Sequence, residues 1–579
     1  MIGRKFFIGL PLTIVVLLVA VACAASTSEP TVVEKEVVRE VPVRQVAVVE
    51  QTLAQGPSKT MNIAIGQTYA NLATHKAKSS GMSLLFDLMY SRIVMPNPNG
   101  FFEPDLAERW EGAPDASSYT FYIRKDAVWH DGEPVTANDI RFMWELLLEP
   151  EFPSWKASSF TIVKGGKDYL DGKTDSIPGL VVIDDHTIRF DMEEPSTIFF
   201  KTCCSLRNPI YPEHIYGDVA PSEMLNHATF TNQAAPIGSG AYRLIEHVSD
   251  QFVLLESNPD YHFGEANIDS IVINMMSSRD ARQIAMMRGD VDVLYHGLTP
   301  EGNAALIADG RFTVKGVQGS VVGSYAWNHD VADLRDPRIR HAFAHALDRK
   351  KLIATFNTGN GIIYNSLLAH SWYQKPEWVD RFGYDPDKAR ALLKEAGWDS
   401  NREVSVLTGT PKDEKASSQL AAVQQMLGDV GFKIKYDTVD GATRQKKTED
   451  GDYEIFTGGF SIHSDPDGFL KNRLYTGSED LMNYAHPELD AMIEKGAKAL
   501  DPKERAKIYQ EINEKLMAEM PLTATWMTNS WYAMTKKVRI PLFDTLKDPT
   551  SLYDVEVGPS FTHRLDTWNY HVEQWDMDQ

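Results

Sequence analysis

Cysteine is nearly absent: the 579 residues contain three, at Cys23, Cys203 and Cys204. That is too few for a disulfide framework, and none of the paired spacings of a zinc site occurs. Cys203 and Cys204 are neighbours and cannot pair with each other without strain. Two small buried side chains is therefore the plain reading of the pair, with soft-metal binding as the alternative. Positive charge is also scarce. Lys plus Arg number 58 against 80 Asp plus Glu, a formal net charge of −22. Such a chain stays soluble but has no general attraction to a phosphate backbone, so nucleic acid is not an expected partner. Beyond the N-terminus, no stretch is apolar for the length that a membrane span requires. Catalytic signatures are missing too: there is no His-Glu-x-x-His, no Gly-x-x-x-x-Gly-Lys-Ser/Thr phosphate loop and no Gly-x-Ser-x-Gly elbow. Gly359-Asn-Gly361 lacks the third glycine and the preceding strand of a dinucleotide site. His463-Ser-Asp465-Pro-Asp467-Gly468 begins like a calcium loop, but its twelfth position is Leu474 where a bidentate Glu is required. The expectation is a protein that is not an enzyme and carries no cofactor or metal.

What is present describes a packed globular chain. Apolar residues make up 43%, charged residues 24% and aromatics 10%, enough for several domains' worth of core. At the N-terminus, Arg4 and Lys5 precede an apolar run that ends in Ala22 and Cys23, the layout of a secretory signal over residues 1–22. The stretch Leu18-Val19-Ala20-Val21-Ala22-Cys23 resembles a bacterial lipobox, with Ala20 where Leu is usual, and implies lipidation of Cys23. The alternative is an uncleaved anchor. Either reading places the body outside the cytoplasmic membrane, in the periplasm or at the cell surface, and tethered to it. Residues 23–57 are Val/Glu-rich, lack aromatics and are interrupted by Pro42, so they read as a spacer rather than a core. A short oligomerisation segment is the rival reading.

The body alternates between strand-like and helix-like segments, as α/β proteins do. Residues 61–65 alternate at period two, and Tyr119, Phe121 and Ile123 share one face of another strand. A turn at His130-Asp131-Gly132 follows, and Thr136-Ala-Asn-Asp139 has the form of a capping box opening a helix through Phe142, Met143 and Leu146. Three further helices open with Asp at the N-cap and Pro at the first helical position, at Asp336-Pro337, Asp385-Pro386 and Asp501-Pro502. Their stripes, including Ile339, Phe343, Leu393, Ile508, Ile512 and Leu516, are core.

Several segments together resemble one family, the extracytoplasmic solute-binding proteins of bacterial ABC importers, in the large peptide, nickel and oligosaccharide-binding class. The residues that carry the resemblance are Glu103-Pro-Asp-Leu-Ala-Glu-Arg-Trp110, Tyr119 to Lys125, and Trp129-His-Asp-Gly-Glu-Pro-Val-Thr-Ala-Asn-Asp139. Pro236-Ile-Gly-Ser-Gly-Ala-Tyr242, Asn258-Pro-Asp-Tyr261, the helix from Asp336 to Lys350, Tyr384 to Trp398, and Asp501 to Pro521 complete the series in order. The resemblance implies a two-lobed α/β periplasmic-binding-protein fold with an extra subdomain in lobe one and a ligand cleft between the lobes. On this chain it implies lobe one at 58–92, 232–325 and 525–579, the inserted subdomain at 93–231, and lobe two at 326–524. Hinges would fall near Trp327 and Trp526. The implied activity is capture of a solute, peptide or peptide-like, by lobe closure, and its delivery as a monomer to an ABC permease.

In the peptide binders of that class an Asp a few residues before Pro-Asp-x-Phe pairs with the peptide ammonium. Here the position is Ile462, ahead of Pro466-Asp467-Gly468-Phe469, and an ammonium without its partner would cost several kcal/mol. Asp465 or His463 could substitute. Oligosaccharides or other neutral solutes therefore stay open, as does an extracytoplasmic enzyme or sensor on the same fold. Candidate ligand contacts are Gln67, Tyr69, Tyr325, Trp327, Asn328, Ser461, Ile462, His463, Asp465 and Trp526, since aromatics in a cleft suit sugar faces or apolar side chains. Arg444, Lys446 and Lys447, expected in a loop before the Tyr453 strand, could meet a ligand carboxylate or simply be solvated.

Overall fold

The computed structural model describes residues 59–69, 72, 80–96, 102–152, 157–196, 199, 210–231, 234–295, 298, 300–317, 321–368, 375, 378, 381–411, 413–461, 466–476, 482–484, 486–499, 501–540 and 571–578. The signal, lipidation and spacer expectations on residues 1–57, the Cys203-Cys204 pair, and Ile462, His463 and Asp465 lie outside these residues. Among the described residues no helix is long and apolar enough to cross a membrane.

Three sheets organise the body. The first has seven strands, in the spatial order Phe312–Val317, Ser530–Thr535, Val293–Tyr295, Thr60–Ile65, Ser270–Met275, Phe252–Ser257 and Tyr242–Val248. Its central strand, Thr60–Ile65, runs parallel to both neighbours. Met61, Ile63 and Ile65 enter one core and Ala64 another. Burial on both faces is what a parallel strand covered on each side requires. The second sheet has six strands, ordered Ile362–Ile363, Leu522–Met527, Val321–Trp327, Ile455–Ser461, Glu403–Gly409 and Lys433–Val439. The third is a four-stranded antiparallel sheet formed within residues 107–191. In it Tyr119, Phe121 and Ile123 are the buried face of Ser118–Ile123, as the alternation predicts.

The cores divide the body in two. One hydrophobic cluster joins the first sheet to the third, through residues such as Ile63, Ile273, Phe121, Trp144 and Phe190. Two others lie on opposite faces of the second sheet, one built on Val322, Ile493 and Leu516, the other on Trp327, Phe343 and Val406. No described hydrophobic cluster mixes residues of the first and second sheets. Polar contacts among the described residues join the second body to the first and to the crossing. Asn360 Nδ2 donates to Asn529 O at 3.1 Å while Asn529 N donates to Asn360 Oδ1 at 3.0 Å, and Thr358 Oγ1 meets Glu301 Oε1 at 3.2 Å.

The expected hinges need correction. Val321–Trp327 and Leu522–Met527 are both strands of the second sheet, so the change of sheet comes before Val321 and, on the return, at 528–529. Trp327 and Trp526 stay inside the second body because both pack on the Phe343 core.

Local chemistry accounts for the helices. Asp336, Asp385 and Asp501 accept from the backbone N–H groups of Arg338, Lys388, and Lys503 with Glu504, and each helix starts on proline. Asp139 Oδ2 accepts the N–H of Thr136 at 2.7 Å, and Asp139 Oδ1 accepts that of Glu213 at 2.9 Å, tying two helices of the inserted region together. Gly132 turns the chain at φ 91°, where a side chain would be strained. Arg340, on the helix Pro337–Ala346, is 2% exposed and donates to carbonyls: Leu334 O at 2.6 Å and Glu519 O at 2.9 Å. Glu519 ends the helix Pro502–Glu519, so a cation sits where the helix dipole is negative. Burial pulls the Arg340 pKa down to about 10, which leaves it charged at neutral pH.

Two outcomes are expected. Arg340→Met should lower the unfolding free energy by about 2–3 kcal/mol, since it removes hydrogen bonds from a charged donor to buried carbonyls; denaturant unfolding followed by circular dichroism reads this. His571 lies between Glu573 Oε1 and Glu103 Oε2, each at 3.2 Å, and these carboxylates raise its pKa from 6.5. A raised folded pKa means the contribution is fully present below pH 6.5 and is lost as pH rises through the raised value. Melting curves across that window should show a pH-dependent loss that His571→Gln abolishes.

Candidate functional site

The site follows from strand direction. In the first sheet the parallel strands end at Ile65, Met275 and Tyr295 on one edge, where Val317 lies opposite Ser530. In the second sheet the parallel strands end at Gly409, Val439 and Ser461, and Val321 starts its strand opposite Ser461. Both sheets thus present the carboxyl ends of their parallel strands at the edge where the chain crosses. Only residues 528 and 529 separate Met527 from Ser530, a gap of about 10 Å at most when extended. Carboxyl edges of open α/β sheets are where such folds hold ligands.

On the first edge Gly66 follows the central strand. A Cβ there would lie 2.9 Å from Arg282 Nη1, so glycine is what lets the guanidinium close over the backbone. Arg282 is 4% exposed and its Nη1 donates to the carbonyls of Met276 and Ser277. It thereby fixes the turn that leads into the helix Arg279–Arg288, which Ser278 caps through Ala281 N. Burial lowers its pKa. No motif signalled this arginine, because its partners are carbonyls. Gln67 is half-buried beside it. Tyr69 is buried, its N–H on Met275 Sδ at 3.3 Å and its carbonyl accepting from Asp250 N and, at 3.1 Å, contacted by His247 Nε2. Among the described residues its hydroxyl has no hydrogen-bond partner, and burial pushes its pKa well up.

On the second edge the expected contacts separate. Trp327 is fully buried, donates from Nε1 to Thr523 Oγ1 at 3.0 Å and packs edge-on against Phe343 and Phe432. Asn328 is 4% exposed, with Nδ2 on the carbonyls of Gly451 and Tyr453 and Oδ1 accepting from Asp330 N and Asn483 Nδ2. Both are core residues, and their expected role as ligand contacts is corrected: the Trp327 indole N–H and the Asn328 side-chain amide are already used inside the second body, and almost no surface remains. Tyr325 is also largely enclosed, its hydroxyl 3.2 Å from that of Tyr436, and burial raises its pKa to about 12. Trp526 is half-buried at the edge of the same core. Ser461 closes its strand opposite Val321, which is 50% exposed.

Asp467 has a different part from the one its neighbours suggested. It is fully buried at the start of the helix Pro466–Arg473, accepts from the Tyr509 hydroxyl and lies 3.6 Å from Arg505 Nη2. Arg505 Nε donates to Gly496 O at 3.1 Å. This buried pair anchors the start of the helix Pro466–Arg473 to the helix Pro502–Glu519. The expected basic loop is in fact the helix Gly441–Glu449, capped by Asp440 through the N–H groups of Ala442 and Thr443. Farther out, a groove of about 430 Å³ separates Glu193, Glu194 and Ser196 of the inserted region from Lys471, Glu494 and Lys498 of the second body. Among the described residues no cluster of His, Cys, Asp and Glu could hold a metal ion.

Comparison with known proteins agrees with this architecture. The model of the family described as bacterial extracellular solute-binding proteins, family 5 middle, matches residues 102–480. A Brucella ovis protein provisionally named an ABC transporter peptide-binding protein is 26% identical over 75% of this chain and 80% of its own. An oligopeptide-binding protein of Bacillus subtilis is 24% identical over 81% of this chain and 86% of its own. The solved structure of an ABC transporter substrate-binding protein of Listeria monocytogenes superposes with a TM-score of 0.74 at 21% identity, covering 90% of this chain and all of the other (100%).

Asp467→Ala is expected to lower stability by about 3–5 kcal/mol, the cost of stranding a buried arginine. Thermal unfolding reads the loss, and limited proteolysis should show new cleavage near residues 462–465.

Proposed function

We propose that this chain, which belongs to the bacterial extracellular solute-binding proteins of family 5, captures a peptide or peptide-like solute between its two bodies and delivers it to an ABC permease. The observation that carries the reading is the pair of facing carboxyl edges, joined by two short crossings, with separate cores on either side. A closure of that kind needs no covalent step. Solute bound to both edges favours the closed arrangement, which excludes water from the contacts and differs in shape from the open one.

The peptide class is supported by the peptide-binding relatives, and the polar character of the cross-body contacts fits repeated opening. Water can replace hydrogen bonds such as those of Asn360 with Asn529 at small net cost, whereas exposing an apolar interface would cost about 25 cal/mol per Å². The charged groove between Glu193 and Lys471 is solvated space into which the bodies can move. We read the protein as a binder and not an enzyme, held outside the cytoplasmic membrane through lipidated Cys23 and working as a monomer. The proposed lobe assignment is a first lobe that carries the inserted subdomain 93–231 and a second lobe from Val321 to Met527, with hinges between Val317 and Val321 and at 528–529.

The test is mass spectrometry of small molecules released by unfolding the soluble body, residues 58–579, after gentle purification. Peptides are expected. Re-adding the recovered mixture to ligand-free protein should reduce the radius of gyration in small-angle scattering and leave the peptides chemically unchanged. Recovery of sugars or amine-free compounds alone would overturn the peptide class, and conversion of the mixture into products would overturn the binder reading.

A further inference from the structure

The buried residues Asn258, Asn328 and Asn360 all use their side-chain amides in hydrogen bonds. Among the described residues, Asn303 and Asn529 are the two whose side-chain amide is buried with neither Nδ2 nor Oδ1 bonded. They are 1% and 5% exposed. Asn529 lies in the crossing between the bodies, and Asn303 on the helix Pro300–Asp309 of the first body. An amide withdrawn from water with no partner at either end is unfavourable, and folded chains keep few of them.

The two amides belong to elements that meet. The helix Pro300–Asp309 leads two residues later into the strand Phe312–Val317 and packs back along it and along Ser530–Thr535. Its first turns therefore reach the end where Val317 pairs with Ser530. Leu306, one turn after Asn303, shares a core with Trp531. Asn529 precedes Trp531 by two residues, the spacing that keeps to one face of an extended chain. Glu301, two residues before Asn303, meets Thr358 Oγ1 of the second body at 3.2 Å. Asn360, two residues beyond Thr358, clamps the crossing: its Nδ2 donates to Asn529 O at 3.1 Å and its Oδ1 accepts from Asn529 N at 3.0 Å. Asn529 thus has its backbone bonded to the second body while its side chain is unpaired.

We infer that the hinge exchanges partners: as the bodies rotate, the Asn360 clamp opens and the side-chain amide of Asn529 pairs with that of Asn303. The inference rests on the two-body capture proposed above and deepens it by naming a switch in the hinge. Each amide offers a donor and an acceptor, so two of them bond reciprocally. Two hydrogen bonds to Asn360 are given up and two to Asn303 are gained, and water bonds the released backbone groups. An exchange that conserves the count keeps the two arrangements close in free energy, which lets a solute decide between them. Asn303 and Asn360 then bias the equilibrium in opposite directions, and neither has to touch the solute.

The experiment uses the body, Pro57–Gln579, a compact unit that holds every described element. Small-angle scattering without ligand, and isothermal titration with a degenerate tripeptide mixture, are read on wild type and variants. Asn303→Leu and Asn529→Ala should move the ligand-free radius of gyration in one direction and Asn360→Leu in the other. Affinity for the mixture should shift in opposite senses by about threefold to thirtyfold, the worth of one or two net hydrogen bonds. Asn360→Asp, which keeps the acceptor and loses the donor, should give a smaller shift of the same sign as Asn360→Leu. Asn303→Leu combined with Asn529→Ala should move the body no further than either alone, because both remove the same pair. A lower melting temperature for Asn303→Leu with unchanged scattering would mark a structural amide satisfied by bound water, and overturns the inference. Shifts of all the variants in one direction overturn it too. A wild type whose scattering and heat do not respond to the mixture removes the peptide-capture reading, and the ligand-free shifts then decide the exchange by themselves.

Discussion

The division of apolar burial into separate cores is the constraint on which the rest of this molecule depends. Hydrophobic burial is the dominant favourable term in folding and has no direction of its own; where a chain makes one continuous core it makes one rigid body. Here the first and third sheets share a core, and the second sheet is enclosed by its own helices. Polar contacts among the described residues lie between them: Asn360 with Asn529 of the crossing, Thr358 with Glu301, and a charged groove.

Within each body, buried arginines that bond carbonyls fix turns and helix ends. Arg282 closes over Gly66 at the first edge, and Arg340 caps the helix Pro502–Glu519. Arg349 donates to Tyr364 O at 2.9 Å on the strand side of the same body. A guanidinium offers several donors from one rigid plane, so a single side chain can satisfy carbonyls from distant segments. These arginines support the backbone beside the ligand edges.

The helix Pro466–Arg473 shows how support and recognition meet. Asp467 is consumed by Tyr509 and Arg505. This carboxylate, close in sequence to the expected contacts Ser461 to Asp465, is a structural anchor. Proximity in sequence to a binding motif and availability to a ligand are separate properties, set by different neighbours.

Much of the local structure was determined by the sequence itself. The Asp-Pro helix starts, the alternation of Tyr119, Phe121 and Ile123, and the turn at Gly132 are effects of residues within a few positions of one another, and they recur in the structure as the sequence implies. The ordered series of motifs from Glu103 to Pro521 likewise pointed to the family and the two-lobed α/β fold. Tertiary structure alone decided which aromatic and charged residues face a core and which face a cleft. Trp327 became a core residue because Thr523, distant in sequence, accepts its N–H, and Asn328 because the chain near Gly451 returns to meet it. Lys447 lost its freedom to Asp437 on the preceding strand. Periodicity and capping act over a turn or two of chain, but burial and pairing depend on which remote segments arrive, and no local pattern encodes that arrival.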